Sequence, residues 1–458
     1  MSNAYKDTIA AVATGGVVSA VGILRLSGPD TLRIVDRVFR PSAGRAMSLS
    51  EDRKLRYGEL LDERGEVLDL CLCTVSRAPH SYTGEDTAEF QCHGTPMVLR
   101  EGLASLFAAG ARQAGPGEFT RRAFMNGQLD LTAAEAVADI IDAETPLAVR
   151  NAAGQLAGAV SRRVEAVSRA LTDVCAHFHA VLDYPDEDIE DFALSAYADT
   201  LRAAMTDLRA LLDTHQRGRV LDKGVRTALI GKPNAGKSSL LNALLGYERA
   251  IVTDIPGTTR DTLSERVNVG GVLLQLTDTA GIHATADAVE ALGVERSRSA
   301  AESAELCIAV FDSSRDWAPE DADIAALALS APHALALVNK SDLPQRLDTA
   351  KLAGFERVLC VSALRGEGLE ALGTAVAELF PLPGAAVGEI LTNARQAEAA
   401  GRALEAMEAA EEAMEQGFTP DAVLSSVEEA MEALAELTGR RVREDVTDRI
   451  FARFCVGK

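Results

Sequence analysis

Gly231-Lys-Pro-Asn-Ala-Gly-Lys-Ser238 decides the fold of this chain. The stretch fits G-x-x-x-x-G-K-S in full, follows the apolar run 225–230 and opens a helical pattern through Leu240 and Leu245. Strand, glycine-rich loop and helix in that order make a phosphate cradle. The glycines let backbone N–H groups turn inward around phosphate oxygens. Lys237 brings a cation to the β- and γ-phosphates, and the Ser238 hydroxyl is suited to Mg2+.

Three later stretches narrow the nucleotide. Asp278-Thr-Ala-Gly281 ends an expected strand over 272–277, where an Asp holds Mg2+ through water and Gly281 meets the γ-phosphate. Asn339-Lys-Ser-Asp342 ends an apolar strand over 334–338. The Asp342 carboxylate accepts paired hydrogen bonds from guanine N1–H and the exocyclic amine, a pair of donors that adenine lacks. Val361-Ser-Ala363 ends one more strand, with backbone N–H groups in reach of guanine O6. All four stretches fall at strand ends, where doubly wound sheets bind ligands. The expected ligand is GTP or GDP. Its contacts are Asn234, Ala235, Gly236, Lys237, Ser238, Ser239, Asp278, Thr279, Ala280, Gly281, Asn339, Lys340, Asp342, Ser362 and Ala363. The combination resembles the translation-factor-like GTPase superfamily.

Outward from this core, 222–381 repeats strand, loop and helix, and the flanks turn helical. Val164, Val167, Leu171, Val174, Phe178 and Val181 form one apolar stripe, and Leu424, Val427, Met431, Leu434 and Leu437 another. Neither has a partner within its own segment, so the two are expected to pack together around an inserted α/β domain. Thr132-Ala-Ala-Glu135 has capping-box spacing. The acidic run Asp186–Asp191 reads as a solvated loop or helix start, with metal binding the weaker alternative. Residues 1–120 read as mixed α/β, with strands at 21–26, 69–75 and 88–92 and a helix over 97–109. The expected fold class is multidomain α/β and all-α: an N-terminal α+β domain (1–120), a helical-bundle domain in two parts (121–221 and 382–458) and an inserted P-loop, Ras-like GTPase domain (222–381).

The 458 residues suit about three domains. With 47% hydrophobic and 25% charged residues, the chain is neither disordered nor fibrous. No apolar run approaches the roughly 20 residues that span a bilayer, and 1–10 lacks the pattern of a signal peptide, so a cytoplasmic protein without membrane contact is expected. A net charge of −22 argues against a nucleic-acid coat; work on RNA would need a local basic patch or a basic partner. Arg217, Arg219, Lys223 and Arg226, and Arg440, Arg441 and Arg443, are the candidate clusters, against the plainer reading of solvated helix ends. Seven cysteines make no disulfide framework; Cys71 and Cys73 alternate in an apolar strand and read as small core hydrophobes.

Hydrolysis needs an unusual helper. Ras-like GTPases carry Gln directly after the D-x-x-G stretch to orient water, and here that position is Ile282. No arginine finger is evident, though Arg260 stays open. The amide oxygen of Asn234 and the oxygens of Thr253-Asp-Ile-Pro-Gly-Thr-Thr-Arg-Asp261 would suit a monovalent cation, with K+ supplying charge between the β- and γ-phosphates. Alternatively Asn234 is a turn former after Pro233.

Outside this core stand Val21-Gly-Ile-Leu-Arg-Leu-Ser-Gly28, Ser81-Tyr-Thr-Gly-Glu-Asp86 with Cys92-His-Gly94, Gly117-Glu-Phe-Thr-Arg-Arg-Ala-Phe-Met-Asn-Gly-Gln-Leu-Asp-Leu131, and the terminus Cys455-Val-Gly-Lys458. In that order around an inserted GTPase they resemble the MnmE (TrmE) family of bacterial tRNA-modification GTPases, over essentially the whole chain. The resemblance implies a folate-binding, dimerising N-terminal domain and G domains that pair across their nucleotide faces in a K+-dependent way. It implies K+ ligands at Asn234, Thr253, Ile255 and Thr258, and Mg2+ ligands at Ser238 and Thr259. Thr253, Thr258 and Thr259 then also join the nucleotide contacts, and Glu290 positions water beside catalytic Lys237. It implies binding of 5-formyl- or methylene-tetrahydrofolate by Arg25, Glu85, Gln128 and Lys458, although the family usually has Lys at 128, and Arg is common where His283 stands. Cys455 is either a reactive thiol or packing for the terminus. The implied partners are a second copy of the chain, the flavoprotein MnmG in a heterotetramer, and tRNA. The implied product is a wobble uridine carrying a carboxymethylaminomethyl or aminomethyl group at C5. The competing readings are a ribosome-assembly GTPase, for which no basic RNA-binding module is visible, and a folate-dependent aminomethyltransferase, in which the G domain would be idle.

Overall fold

The computed structural model describes residues 6–15, 17–183, 192–249, 264–277, 299–381, 388–441 and 444–458. They form two compact units: Met1–Ala138, Gln155–Met205 and Ala399–Lys458 in one, and Asp139–Gly154 with Thr206–Glu398 in the other.

The first unit holds a seven-stranded sheet: β1 (Ile9–Val12), β2 (Ser19–Ser27), β3 (Phe39–Pro41), β4 (Arg56–Leu61), β5 (Val67–Ser76), β6 (Thr87–Gly94) and β7 (Arg112–Gln113), ordered β3-β4-β5-β6-β2-β1-β7. Only β1 and β7 pair in parallel. Alternation sends Leu24, Leu26, Cys71, Cys73, Val75 and Phe90 into one core, covered by α1 (Thr31–Val38) and α2 (Pro96–Ala108). Cys71 and Cys73 are buried there as expected, and burial holds the Cys73 thiol well above its ordinary range. Sequence periodicity missed β1, β3, β4 and β7; two of these have three residues or fewer, too short for a period of two to register.

The chain continues through α3 (Glu118–Met125), α4 (Leu131–Asp142), α5 (Pro146–Leu156), α6 (Ala159–Asp183), α7 (Phe192–Leu212) and α8 (His215–Lys223). The expected Thr132–Glu135 capping box does not form. The helix begins at Leu131, so Thr132 lies inside it, and Asp130 caps it instead, accepting from the Ala133 N–H at 2.8 Å and the Thr132 hydroxyl at 2.7 Å.

The second unit holds a six-stranded sheet, β8 (Val225–Gly231), β9 (Ser264–Val269), β10 (Val272–Thr277), β11 (Leu306–Asp312), β12 (His333–Asn339) and β13 (Arg357–Cys360), ordered β13-β12-β11-β8-β10-β9 and parallel except for the β9–β10 hairpin. Both faces are covered, so its central strands β11 and β12 read as near-continuous apolar runs. Leu306, Ile308 and Val310 face a core shared with α9 (Lys237–Arg249) and α11 (Leu369–Leu379); Cys307, Ala309 and Phe311 face a second core with α10 (Pro319–Ala328). Within this unit, residues 388–392 run as a strap held by α5 and α8. Asn151 Oδ1 accepts from the Gly388 N–H at 2.9 Å, Thr214 Oγ1 accepts from the Leu391 N–H at 3.0 Å, and a Cβ on Gly218 would stand 1.9 Å from the Leu391 carbonyl.

The last helices are α12 (Ala394–Glu415), α13 (Pro420–Thr438) and α14 (Glu444–Phe451). In the first unit α6 packs along α13, as the two apolar stripes predict. Val164, Leu171, Val174, Val427, Leu434 and Leu437 are all buried. The side chain of Val181 and the run 186–191 lie outside the described residues. No helix among the described residues is long and apolar enough to cross a membrane.

Candidate functional site

In the second unit, the loops after β8, β12 and β13 meet at one end of the sheet. Asn339 joins all three: its Nδ2 donates to the Ala235 carbonyl at 2.9 Å, and its Oδ1 accepts from the Ala363 N–H at 3.0 Å. Gly236 must be glycine here, since its φ is +98° and a Cβ would lie 2.1 Å from Asn339 Nδ2. Ser362 Oγ donates to Asp342 Oδ1 at 2.7 Å, and that bond holds the half-buried Asp342 carboxyl below its ordinary range. Lys237 Nζ donates to the Gly231 and Lys232 carbonyls at 2.5 and 3.0 Å, and burial lowers its pKa. Asn234 stands exposed with φ +63°, and its side chain makes no hydrogen bond to another described residue. Ser238 and Ser239 open α9.

Neighbouring groups that sequence reading missed hold these loops. Lys232 Nζ pairs with buried Asp321 at 2.6 Å, and Lys340 Nζ with buried Asp312 at 2.6 Å. Thr253, Ile255, Thr258, Thr259, Arg260, Asp278, Thr279, Ala280, Gly281, Ile282, His283 and Glu290 lie outside the described residues.

A second cluster forms in the first unit. Arg25 pairs with Glu89 at 2.8 Å, its direct cross-strand neighbour on β6, and its Nη1 donates to the Gly457 carbonyl at 3.2 Å. Its guanidinium lies over the Phe119 ring at 5.7 Å and the Tyr82 ring at 6.0 Å. The C-terminal tail is seated beside it. The Phe119 N–H donates to the Lys458 carbonyl at 3.0 Å, and Gly457, at φ +101°, lies so close to β1 that a Cβ would stand 2.3 Å from the Val12 carbonyl. Glu85 is buried, accepting from Ser27 Oγ at 2.7 Å and from Arg122 Nη1 at 3.1 and 3.3 Å. Exposed Gln128 lies against the 81–86 turn: a Cβ on Gly84 would meet its Nε2 at 3.1 Å. Thus Arg25, Glu85, Gln128 and Lys458 come to one region. Cys455 is exposed, and Phe451 and Phe454, with ring centroids 5.6 Å apart, do the packing of the terminus.

Arg122, fully buried, went unrecognised in the sequence. Its Nη1 donates to the Asp7 carbonyl at 2.9 Å as well as to Glu85, and its Nη2 reaches Asp7 Oδ1 at 2.9 Å and Glu118 Oε1 at 3.0 Å. The available signal was Glu118 one helical turn earlier, at i,i+4. Burial would raise the Glu118 carboxyl, but Arg112, the Gly115 N–H and Arg122 outweigh it and bring it down to about 2.

The basic clusters have acidic partners. Arg219 and Arg226 both pair with Glu305, Lys223 with Asp222, Arg440 with Glu165 and Arg441 with Glu432.

Residues 131–455 match the MnmE helical domain, and residues 8–128 match the family described as GTP-binding protein TrmE N-terminus. A protein of Roseiflexus sp. (strain RS-1) named tRNA modification GTPase MnmE is 44% identical, covering 99% of this chain and 100% of its own length. Proteins of the same name from Thermus thermophilus and Alkaliphilus metalliredigens are 45% and 41% identical, each alignment covering 99% of both chains.

Proposed function

We propose, from the premise that this chain belongs to the MnmE family of tRNA modification GTPases, that it is the K+-activated member of a two-protein system. With the flavoprotein MnmG it would build carboxymethylaminomethyl or aminomethyl groups on wobble uridines from a folate one-carbon unit. The chain is a GTP hydrolase, like its relatives. The observation that supports the nucleotide pocket best is the Asn339 bridge, which fixes the phosphate loop against both guanine-reading loops.

In this reading Asp342 reads the guanine N–H pair while Ser362 holds its carboxylate in place. Lys237, already turned into the loop, neutralises developing charge on the β,γ-bridge. Ser238, with Thr259, would hold Mg2+, and hydroxyl oxygens suit that hard cation. Asn234, with Thr253, Ile255 and Thr258, would hold K+; its uncommitted amide and left-handed backbone fit a ligand at the loop's rim. Bound K+ would supply the positive charge of an arginine finger. Glu290 would orient water in place of Gln.

In the first unit, Arg25, Glu85, Gln128 and Lys458 would bind 5-formyl- or methylene-tetrahydrofolate, and exposed Cys455 would be the reactive thiol. Residues 1–120 would dimerise, 222–381 would be the G domain, and 121–221 with 382–458 the helical domain of a cytoplasmic heterotetramer acting on tRNA.

Two measurements test this. Nucleosides of tRNA from a strain lacking the protein should lose the C5 modification at the wobble uridine, and unchanged uridines would refute the tRNA role. GTP turnover should be at least about tenfold faster in KCl than in NaCl, and Asn234→Ala should abolish the difference. Equal rates in both salts would remove the cation model.

A further inference from the structure

We infer that Arg122 is the positioning residue of the N-terminal site, setting the direction in which Glu85 presents its carboxylate to the N–H edge of a pterin-like ring. The inference rests on the folate reading given above.

The reasoning begins with cost. An arginine with no exposed surface, on a helix whose other buried positions are Phe119, Thr120 and Ala123, gives up hydration that only complete pairing offsets. Three separate chain segments supply that pairing at its two Nη nitrogens: Asp7 ahead of β1, Glu85 after the 81–84 turn, and Glu118 on α3 itself. Nη1 is shared between Glu85 and the Asp7 carbonyl, and Nη2 between the Asp7 carboxylate and Glu118. A planar guanidinium with fixed N–H directions therefore ties the angle of Glu85 to two independent anchors. Ser27 Oγ donates to Oε2 of the same carboxylate at 2.7 Å and is itself 2.7 Å from the Thr83 hydroxyl. Each carboxylate oxygen accepts about two hydrogen bonds; Oε2 already takes two, from Ser27 and Arg122, and Oε1 takes one, so Oε1 retains capacity toward a ligand while Arg122 and Ser27 fix the carboxylate plane. Lysine would keep the charge but point a single ammonium, and the coupling of the three anchors would be lost.

Arg25 lies on β2, two residues before Ser27 along the strand, and donates to the carbonyl of Gly457 in the C-terminal tail. The direction of Glu85 relative to Arg25 thus passes through Ser27 on one side and Arg122 on the other. This is a property of orientation, separable from stability by experiment.

The test is calorimetric titration of full-length protein with 5-formyltetrahydrofolate. Arg122→Lys should weaken binding at least about tenfold, about 1.4 kcal/mol. Val427→Ala, a cavity in the α6–α13 packing away from this network, should stay within twofold of wild type even where its melting temperature falls as far. Glu85→Gln combined with Arg122→Lys should lose no more than the worse single variant. Should Arg122→Lys not fold, the 15N resonances of the Arg122 guanidinium in wild type carry the test: they should shift on saturation with the ligand. Wild-type protein that ignores the ligand would overturn the folate reading and this inference together. Wild-type protein that binds, with Arg122→Lys equal to it, with losses that track melting temperature in both variants, or with unmoved guanidinium resonances, would overturn the inference alone.

Discussion

The nucleotide pocket and the N-terminal site are assembled in opposite ways. The first takes short contiguous stretches, each ending a strand of one sheet, and joins them with a single asparagine. The second takes one or two residues from each of several distant segments, and its bond between Arg25 and Gly457 spans 432 positions. A contiguous loop carries its own geometry, because glycines and a following helix fix it locally. A composite site has geometry only once the chain has folded around it. Damage to the first should therefore act at one point, and damage to the second should spread through its anchors.

The largest expected effect tests the local case. Gly236→Ala places a Cβ 2.1 Å from Asn339 Nδ2 at a backbone angle of +98°. GTP affinity, followed with a fluorescent analogue, should fall at least about a hundredfold, near 3 kcal/mol, with 5-formyltetrahydrofolate binding unchanged. Loss of both would show that the two sites are not independently built.

Acid probes the composite side. Glu118 has a folded pKa of about 2 against an ordinary 4.5. Its stabilisation is therefore complete above pH 4.5 and drains away as pH falls toward 2, a loss of at most about 3 kcal/mol. Asp7 adds in the same direction: burial raises its carboxyl, and Arg112 and Arg122 more than compensate. Denaturant titrations at pH 5 and pH 2.5 should show the difference, and Glu118→Gln should flatten much of it. A variant as acid-sensitive as wild type would place the sensitivity elsewhere.

Gly457→Ala should come next. A Cβ there would meet the Val12 carbonyl at 2.3 Å and lift the tail from Arg25. Folate affinity should drop about tenfold, and the last residues should become open to carboxypeptidase. Intact resistance to the protease would mean the tail had found another seat.

The same contrast governs what the sequence made legible. The phosphate loop, the guanine-reading stretches and the α6 and α13 stripes were readable because each repeats a local rule: glycine spacing, strand ends, or a period of 3.6. Arg122 was not, because a buried arginine breaks the rule that charges lie outside, and its partners Asp7 and Glu85 are separated from it by chain that carries no periodic signal. Thr132 was misread for a smaller reason: Asp130, two residues earlier, competes for the same cap, and spacing alone does not choose between them. That Gln128 and Lys458 share a region with Glu85 and Arg25 was expected only through family resemblance.

The smallest expected effect lies between the legible and the hidden. Asp312 ends β11 and belongs to none of the motifs, yet its Oδ2 binds Lys340 Nζ at 2.6 Å, and Ser313 Oγ donates to the Lys340 carbonyl at 2.7 Å. Lys340 has φ +65°, unusual for a residue with a side chain, and these two contacts hold it there. Burial raises the Asp312 carboxyl, but Lys340 and Ser314 draw it below its ordinary range, so it is charged wherever GTP is turned over. Asp312→Asn keeps an acceptor and removes the charge. The loop after β12 should loosen without collapsing, because Asn339 still ties it to Ala235 and Ala363. GTP and GDP affinities should each fall about fivefold, near 1 kcal/mol, and the preference for guanine over adenine nucleotides should narrow. Unchanged affinities would mean that the asparagine bridge alone positions the guanine-reading loop, and the local character of this pocket would then be stronger than its salt bridges suggest.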